Sequence, residues 1–380
     1  MEWIILAGAC LWLAWNNGAN DNFIGVATLY GSRTCGYRTA LIWATAATAA
    51  GSMVSVLFAS LLVERFSGAA LLGDTAAGLP LLIAVAGAAA ITKMLATRLG
   101  MPASTTHALL GGLLGAGLAS NPAGINWAEL NGGFVQPLLF SPVLAAGVTA
   151  IAYIGIHRLR RQGGIGRETC VCVGCEQPAP VTVLADGRLM LKQGDGAAPI
   201  TMSAGTLEDC VERYQGGMAG VNAQSAVDAV HYLSGGAVCF ARAVSDTPKI
   251  AALLLAVGMF GTASGTVTVL LMVTAAMTLG GWFNASRVAD TMSNRISGMN
   301  GGQGLTANII TAGLVLSASR FGLPVSTTHV ACSAIFGIGL VNGQRNWKTV
   351  ASIALAWICT LPLAVIIGAL LHGGMLHVAG

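Results

Sequence analysis

Two short polar stretches with the same four residues stand in apolar surroundings in this 380-residue sequence. Ser-Thr-Thr-His occurs at 104–107 and again at 326–329, and the serine of each copy follows a proline by two positions. A helix start tolerates proline and leaves backbone N–H groups free, so each copy predicts a helix start that can bind an anion. Interhelical packing and local capping by the hydroxyl groups are the alternative. The candidate anion ligands are Ser104, Thr105, Thr106, Ser326, Thr327 and Thr328.

Two aspartates also stand among apolar residues. Ionisable groups inside a membrane are functional candidates, and an interrupted helix is tolerated there only where its backbone faces protein, water or a ligand. We therefore predict a helix break at each aspartate, and four helix starts that converge on one small oxyanion. Each aspartate would coordinate a co-transported cation or accept a hydrogen bond from a protonated substrate oxygen; capping and proton uptake are the alternatives. The two segments are Asn20, Asp21 and Asn22, and Ser245, Asp246 and Thr247.

The composition indicates which solvent surrounds these motifs. Hydrophobic residues make up 54% of the chain and charged residues 9%, whereas soluble proteins have about 25% charged residues. Because a spanning helix needs roughly 20 apolar residues, the pattern predicts an all-α polytopic membrane protein with about five segments in each half. A net charge of +4 gives no reason to expect nucleic acid. The predicted segments are 3–30 (broken), 39–63, 79–97, 102–119, 134–157, 225–260 (broken), 263–282, 304–319, 325–340 and 349–372.

The two halves share sequence. The segment RLGMPASTTHALLGGLLGAGL at 98–118 aligns without gaps with RFGLPVSTTHVACSAIFGIGL at 320–340, which indicates an internal duplication. Five segments in each half give the two repeats opposite orientations, with broken helices or re-entrant hairpins where Met101-Pro102 and Leu323-Pro324 interrupt their runs. Inverted repeats with matching polar breaks are typical of a secondary transporter whose site lies near the midplane of the bilayer. We therefore predict a first repeat at 1–160, an insert at 161–222 and a second repeat at 223–380.

The insert is polar, and a hairpin is predicted around Asp186-Gly187. Its cysteines predict either a metal or redox-sensing site or ordinary reduced loop cysteines. Basic residues in the short connections mark the cytoplasmic side, which makes the insert cytoplasmic and suits a prokaryotic cytoplasmic membrane. The cysteines are Cys170, Cys172, Cys175 and Cys210, and the basic residues are Arg33, Arg38, Arg158, Arg160, Arg161, Arg287, Arg295, Arg345 and Lys348.

G-A-N-D at 18–21, the paired P-A-S-T-T-H and P-V-S-T-T-H, and the large central loop resemble the inorganic phosphate transporter family, which also contains sulfate permeases. The resemblance covers both membrane halves and excludes residues 165–222. It implies two inverted repeats, often in a homodimer, that move phosphate together with Na⁺ or H⁺. An enzyme is not expected, because the predicted spans contain no nucleophile–base set or metal motif. Carried over by motif, the first half-site is Asn20, Asp21, Ser104, Thr105 and Thr106, and the second is Asp246, Ser326, Thr327 and Thr328.

The sequence departs from the family pattern around the second aspartate. Arg242 and Lys249 flank Asp246, while Thr48 and Asn308 stand where the family has glutamates. We hypothesise that Arg242 or Lys249 supplies the positive charge that cations supply in relatives; the alternative is an ion pair with Asp246. If a coupling cation binds instead, its ligands would be Asp21, Asp246 and Asn308.

Phosphate and sulfate differ in one hydrogen atom that a protein can recognise. Phosphate keeps an O–H donor near neutral pH and sulfate does not, so carboxylates that accept this bond favour phosphate. The preference weakens if the aspartates bind cations or pair with Arg242 and Lys249, which leaves sulfate as the alternative substrate. An anion channel could use the same helix ends, but a site closed by residues of both repeats fits alternating access better. His107 and His329 either relay protons or orient the neighbouring hydroxyls.

Overall fold

A computed structural model describes residues 2–73, 78–166, 168–175, 181–183, 189–191, 200–206, 208–209, 218–256 and 263–379. The chain forms two compact units: Met1–Tyr153 together with His231–Gly380, and Ile154–Val230. Both membrane halves therefore pack into one unit.

Helices dominate the described chain. The first half contains α1 (Glu2–Asp21), α2 (Ala27–Gly31), α3 (Tyr37–Val54), α4 (Ala59–Phe66), α5 (Ala69–Leu72), α6 (Leu79–Arg98), α7 (Thr105–Ser120), α8 (Trp127–Glu129) and α9 (Gln136–Gln162). The second half contains α10 (Ala223–Leu255), α11 (Ala263–Asn284), α12 (Ser286–Asp290), α13 (Gly301–Arg320), α14 (Thr327–Asn342) and α15 (Trp347–Ala379). Short 3₁₀ turns cover Ser55–Phe58 and Pro122–Gly124, and π turns cover Leu130–Val135 and Thr291–Arg295.

Five segments of the described chain are long and apolar enough to cross a membrane: Tyr37–Leu57, Leu79–Arg98, Trp127–Gln162, Ser264–Asn284 and Trp347–His377. The other predicted spans correspond to α1, α7, α10, α13 and α14, which carry the polar motifs. In α10 a continuous run of buried residues extends from Ala241 to Leu254. The polar motif around Asp246 is therefore buried inside the protein.

The two predicted helix breaks have different outcomes. The first is present, because α1 ends at Asp21 and α2 begins at Ala27. Gly25 lies in this break, and a Cβ atom there would overlap the carbonyl oxygen of Gly235, so the break packs backbone to backbone against α10. The second predicted break is wrong, since α10 is a continuous helix through Asp246.

The reason for the continuous helix is local. Pro248 removes one backbone donor from α10, and a single lost hydrogen bond kinks a helix without necessarily ending it. Residues 245–255 contain no glycine, whereas the first break contains Gly25. The sequence SDTPK therefore stays helical where NDNFIG does not.

Two helical hairpins carry the duplicated motif. The first hairpin is α6–α7 and the second hairpin is α13–α14, and the helices of each pack against each other. Each turn contains a glycine with positive φ, 68° at Gly100 and 63° at Gly322. The following residue donates its N–H to a carbonyl near the helix end, from Met101 to Ala96 and from Leu323 to Ala318, both at 2.9 Å. This is a glycine-dependent helix cap that both copies share.

The second unit contains the insert. Strand β1 (Thr169–Cys175) lies between β4 (Ile200–Thr206) and β5 (Met218–Asn222), antiparallel to both. Strands β2 (Val181–Val183) and β3 (Leu189–Leu191) pair antiparallel on either side of the predicted Asp186-Gly187 turn, which lies outside the described residues.

The predicted cysteine site is described only in part. The sulfur atoms of Cys170 and Cys172 are 3.0 Å apart, and Cys172 is disulfide-bonded. Cys210 and the side chain of Cys175 lie outside what the structure describes. Among the described residues, no group of three or more His, Cys, Asp and Glu side chains could hold a metal ion.

Candidate anion-binding site at the hairpin tips

Asp21 connects the two hairpins. One carboxylate oxygen, Oδ2, accepts hydrogen bonds from Lys93 Nζ at 2.7 Å, Thr105 Oγ1 at 3.1 Å and Asn17 Nδ2 at 3.2 Å. The other oxygen, Oδ1, accepts from Thr328 Oγ1 of the second hairpin at 3.2 Å. Asp21 and Lys93 are fully buried. The first repeat's carboxylate thus contacts the STTH motifs of both repeats.

Asp246 occupies a similar environment on α10. Its Oδ1 forms an ion pair with Lys249 at 3.2 Å, and its Oδ2 accepts from Asn17 Nδ2 at 3.1 Å. Lys249 Nζ also donates to Thr106 Oγ1 at 3.1 Å and to the carbonyl of Val325 at 3.3 Å. Of the two charge partners considered for Asp246, the structure pairs Lys249 with it.

Arg242 is fully buried, and its described hydrogen-bond partners are neutral. Its guanidinium donates to Asn17 Oδ1 at 2.8 Å and to Thr48 Oγ1 at 2.9 Å, and Thr48 in turn donates to Asn22 Oδ1 at 2.8 Å. The Nε atom of Arg242 has no hydrogen-bond partner in the described structure. Arg242 therefore retains a donor that a ligand can use.

The buried charges of the cluster do not cancel. Two carboxylates face three cations, so the cluster carries one excess positive charge when all five groups are ionised. A buried charge without a counter-charge is costly, and a bound monoanion would remove this cost. The charged members are Asp21, Asp246, Lys93, Lys249 and Arg242.

The STTH motifs form helix starts, as predicted. Ser104 accepts the N–H of His107 at 3.1 Å, and Ser326 accepts the N–H of His329 at 3.2 Å, which is the N-cap arrangement. The first amides of α7 and α14 have no acceptor within their own helices. Each serine uses its oxygen as an acceptor, so its O–H remains a donor toward a ligand.

The prediction of four converging helix starts is wrong, and the described structure brings together two. The segment from Asn16 to Asp21 is the last part of α1, and Asp246 lies inside α10. A helix C-terminus presents carbonyl groups and partial negative charge. This favours the ammonium group of Lys93 beside Asp21, and the amides that could bind an anion belong to α7 and α14.

The hairpin tips contact each other directly. Thr106 Oγ1 donates to the carbonyl of Val325 at 3.2 Å, and Thr328 Oγ1 donates to the carbonyl of Ala103 at 3.4 Å. The rings of His107 and His329 lie 4.6 Å apart between centroids. These contacts relate equivalent positions of the duplication, so the two tips meet with internal symmetry.

Other predicted residues lie around the cluster. Asn20 Oδ1 accepts from Lys93 Nζ at 3.2 Å and from the N–H of Ala103 at 2.9 Å, so it orients the lysine. Asn22 links to α3 through its bond with Thr48. Ser245 and Thr327 are buried.

Two of the predicted residues point elsewhere. Thr247 donates to Ser52 Oγ of α3 at 2.9 Å. Asn308 donates to the carbonyl of Gly25 at 3.1 Å, so its amide holds the helix break. Neither has a hydrogen bond to the aspartates among the described residues.

Sequence reasoning missed Asn17 and Lys93. Asn17 bridges both aspartates, Thr105 and Arg242. Its signal was the spacing of four residues from Asp21, which places both on one helix face if the helix is unbroken. Lys93 was detectable as an ionisable residue within an apolar membrane segment.

A cavity of about 730 Å³ approaches the cluster from one side. It is lined partly by Asn16, Thr97, Arg98 and Arg287. Thr97 Oγ1 accepts from the amide of Asn20 at 3.0 Å, and Asn20 contacts Lys93. The cavity therefore comes within two side chains of a buried ammonium group and has two arginines in its lining.

Comparisons with known proteins identify the family. The model of the phosphate transporter family matches residues 17–368. A “Putative phosphate permease” of Mycobacterium bovis is 40% identical over 92 residues, but this match covers only 24% of the present chain and 17% of the relative. A “Probable low-affinity inorganic phosphate transporter” of Rhizobium meliloti is 27% identical over 375 residues, with 97% and 94% of the two chains covered.

A solved structure has the same fold. “The sodium-dependent phosphate transporter” aligns over 99% of both chains with a TM-score of 0.73 and 20% identity. The family model spans both membrane halves, and the named relatives are transporters and not enzymes. This chain therefore belongs to the phosphate transporter family.

Proposed function

We propose that this chain is a secondary active transporter that moves inorganic phosphate across the membrane by alternating access, together with Na⁺ or H⁺. The observation that carries the proposal is the excess positive charge buried where two anion-binding helix starts meet. A phosphate oxyanion supplies the missing negative charge and enough acceptor oxygens for the free amides, the serine hydroxyls and Arg242. Phosphate binding would neutralise the excess positive charge and form charge-assisted hydrogen bonds with these donors.

Alternating access is supported by the contact between the hairpin tips. In the family's inverted-repeat arrangement, one repeat rocks against the other around a fixed midplane site. The threonine-to-carbonyl bonds of Thr106 and Thr328 connect the repeats, and such a motion would break them and open the site. The cavity beside Thr97 would be the access route on one side.

The orientation follows from the basic residues of the short connections. With the insert in the cytoplasm of a prokaryotic cell, this cavity, lined by Arg98 and Arg287, would open on the cytoplasmic side of the membrane. Two copies of the chain would assemble as a homodimer in the bilayer. We expect no nucleic acid and no required cofactor apart from the co-transported ion.

Sulfate is the second candidate substrate because both aspartates have lysine partners. Lys93 lies 2.7 Å from Asp21 and Lys249 lies 3.2 Å from Asp246. These pairs reduce the capacity of the carboxylates to demand an O–H donor from the substrate. Asp21 nevertheless accepts bonds from two hydroxyl groups, one in each STTH motif, which favours an anion that carries its own proton.

The decisive experiment is uptake of radiolabelled phosphate into proteoliposomes, with sulfate as competitor. We expect saturable, concentrative phosphate uptake that excess sulfate inhibits weakly. Asp21→Asn and Asp246→Asn should reduce phosphate uptake and relax the discrimination against sulfate. The control is Asp209→Asn, an exposed substitution in the insert. If sulfate inhibited phosphate uptake more strongly than unlabelled phosphate does, sulfate would be the preferred substrate. Phosphate uptake that does not saturate would indicate a channel.

A further inference from the structure

We infer that Lys93 and Lys249 are fixed counter-cations, whose ammonium groups fill two oxygen cages that could otherwise bind a transported cation. On this basis the chain binds and moves phosphate without sodium, and a proton is the coupling ion that remains. The inference rests on the proposed function and identifies how that site balances its charge.

The first cage surrounds Lys93. Its Nζ donates to Asp21 Oδ2 at 2.7 Å, to the carbonyl of Ala103 at 2.7 Å and to Asn20 Oδ1 at 3.2 Å. An ammonium group has three donors, so these three oxygens satisfy it completely. A carboxylate, a backbone carbonyl and an amide oxygen are also the ligand types that hard metal cations prefer.

The second cage surrounds Lys249 and contains the same three kinds of oxygen atom as the first. Its Nζ donates to Asp246 Oδ1 at 3.2 Å, to Thr106 Oγ1 at 3.1 Å and to the carbonyl of Val325 at 3.3 Å. Again one carboxylate, one backbone carbonyl and one neutral side-chain oxygen surround a fully buried ammonium group. The carbonyl in each cage belongs to the residue that directly precedes the serine of an STTH motif.

The cages are related by the duplication, but the lysines are not. Ala103 and Val325 are equivalent in the aligned repeats, whereas the position equivalent to Lys93 is Val315. Lys93 comes from α6 of a hairpin, and Lys249 comes from α10, three residues after its aspartate. Two different helices therefore deliver a positive charge to the same kind of oxygen cage.

This convergence indicates that each cage requires a cation. The ammonium groups occupy the centres of the cages, and a sodium ion beside either would meet strong repulsion in this desolvated region. The two lysines neutralise the two aspartates and leave the positive charge of Arg242 for the oxyanion. A mobile cation is then unnecessary for binding and has no free cage.

The test begins with the wild-type protein in proteoliposomes. Initial phosphate uptake is measured at fixed pH and ionic strength with sodium chloride or with choline chloride, and sodium influx is followed with ²²Na⁺. We expect equal phosphate uptake in both salts and no phosphate-dependent sodium influx. Loss of uptake in choline chloride would overturn the inference and leave phosphate transport standing. Absence of phosphate uptake in both salts would instead overturn the proposed function, and the inference with it.

Removing a lysine side chain from its cage should make phosphate uptake depend on sodium. Lys93→Ala should lower phosphate uptake in choline chloride by about tenfold or more, because it leaves a buried carboxylate uncompensated. Sodium or methylammonium should restore part of that activity, and Lys249→Ala should behave in the same way. Lys348→Ala, an exposed substitution, should change nothing.

Uptake by Lys93→Ala that equals wild type in choline chloride would contradict the inference, as would a loss that neither cation restores in a folded variant. If the alanine variants do not fold, the melting temperature of the wild-type protein decides. We expect the melting temperature in sodium chloride to equal that in choline chloride. A clearly higher melting temperature in sodium chloride would show that a cation cage is still open and would overturn the inference.

Discussion

Arg242→Gln removes the excess positive charge of the buried cluster while keeping a shorter polar side chain. In the described structure, Arg242 bonds only to neutral partners, Asn17 and Thr48, and its Nε is unpaired. The two lysines already have carboxylate partners. The substitution therefore tests whether the free charge at this position is what binds the anion.

The expected magnitude follows from the charge balance. A hydrogen bond to a charged group contributes about 1.5–3 kcal/mol, which corresponds to a loss of phosphate affinity of about 10- to 150-fold. Ligand at about 100 times its Kd stabilises a protein by about 2.7 kcal/mol. A loss near the middle of that range, about 40-fold, would reduce this stabilisation to about 0.7 kcal/mol at the same phosphate concentration.

The assay is a phosphate titration of the purified protein, followed by isothermal calorimetry and by the ligand-induced increase in melting temperature. Arg242→Lys keeps the charge but loses the fork geometry of the guanidinium, so its affinity should fall between those of the wild type and Arg242→Gln. Arg158→Gln, at an exposed position of α9, is the matched control and should bind phosphate as the wild type does.

An unchanged phosphate affinity in folded Arg242→Gln would refute the charge argument, because it would place the anion away from the only cation of the described cluster that lacks a carboxylate partner. A lower melting temperature in the absence of phosphate would not by itself support the argument. That effect also follows from the broken bonds to Asn17 and Thr48, so the decisive quantity is the additional stabilisation by phosphate.

Two further substitutions test the frame around the site. Asn17→Leu should abolish transport and destabilise the protein by about 1–3 kcal/mol, because it leaves buried donors and acceptors unpaired. Chemical unfolding measures this loss, with Asn16→Leu as the control because the Asn16 side chain bonds within its own helix. Equal destabilisation by the two variants would contradict the bridging role of Asn17. Gly25→Ala should lower folded yield, because its Cβ would overlap the Gly235 carbonyl, at a cost of about 1–3 kcal/mol or more. Gly36→Ala, with no atom within 4 Å of the added Cβ, should express normally, and wild-type behaviour of both variants would contradict the close packing of the break.

Much of the fold was predictable because its signals are local. The predicted segments 79–97 and 263–282 correspond to α6 (Leu79–Arg98) and α11 (Ala263–Asn284). Such segments can be recognised from the sequence because a helix that crosses a membrane needs a long apolar run. The helix starts at the STTH motifs also followed from neighbouring residues, because an N-cap serine acts on an amide three positions away. The break predicted in α10 is wrong because a polar segment with one proline and no glycine stays helical, so polarity alone does not indicate a break.

The sequence by itself determined a membrane protein with a duplicated STTH motif at two helix starts and a family resemblance that the comparisons confirm. Hydropathy, capping and internal repetition act over short distances along the chain, so they can be read without knowing which helices are neighbours. The tertiary structure alone decided the long-range partners of the buried charges: Lys93 reaches Asp21 from 72 positions away, and Arg242 bonds to the neutral Asn17 across 225. Such pairs depend on how α1, α6 and α10 pack against one another. The sequence shows that a residue is polar and lies in an apolar segment, but it does not show which of several partners will form a hydrogen bond with it.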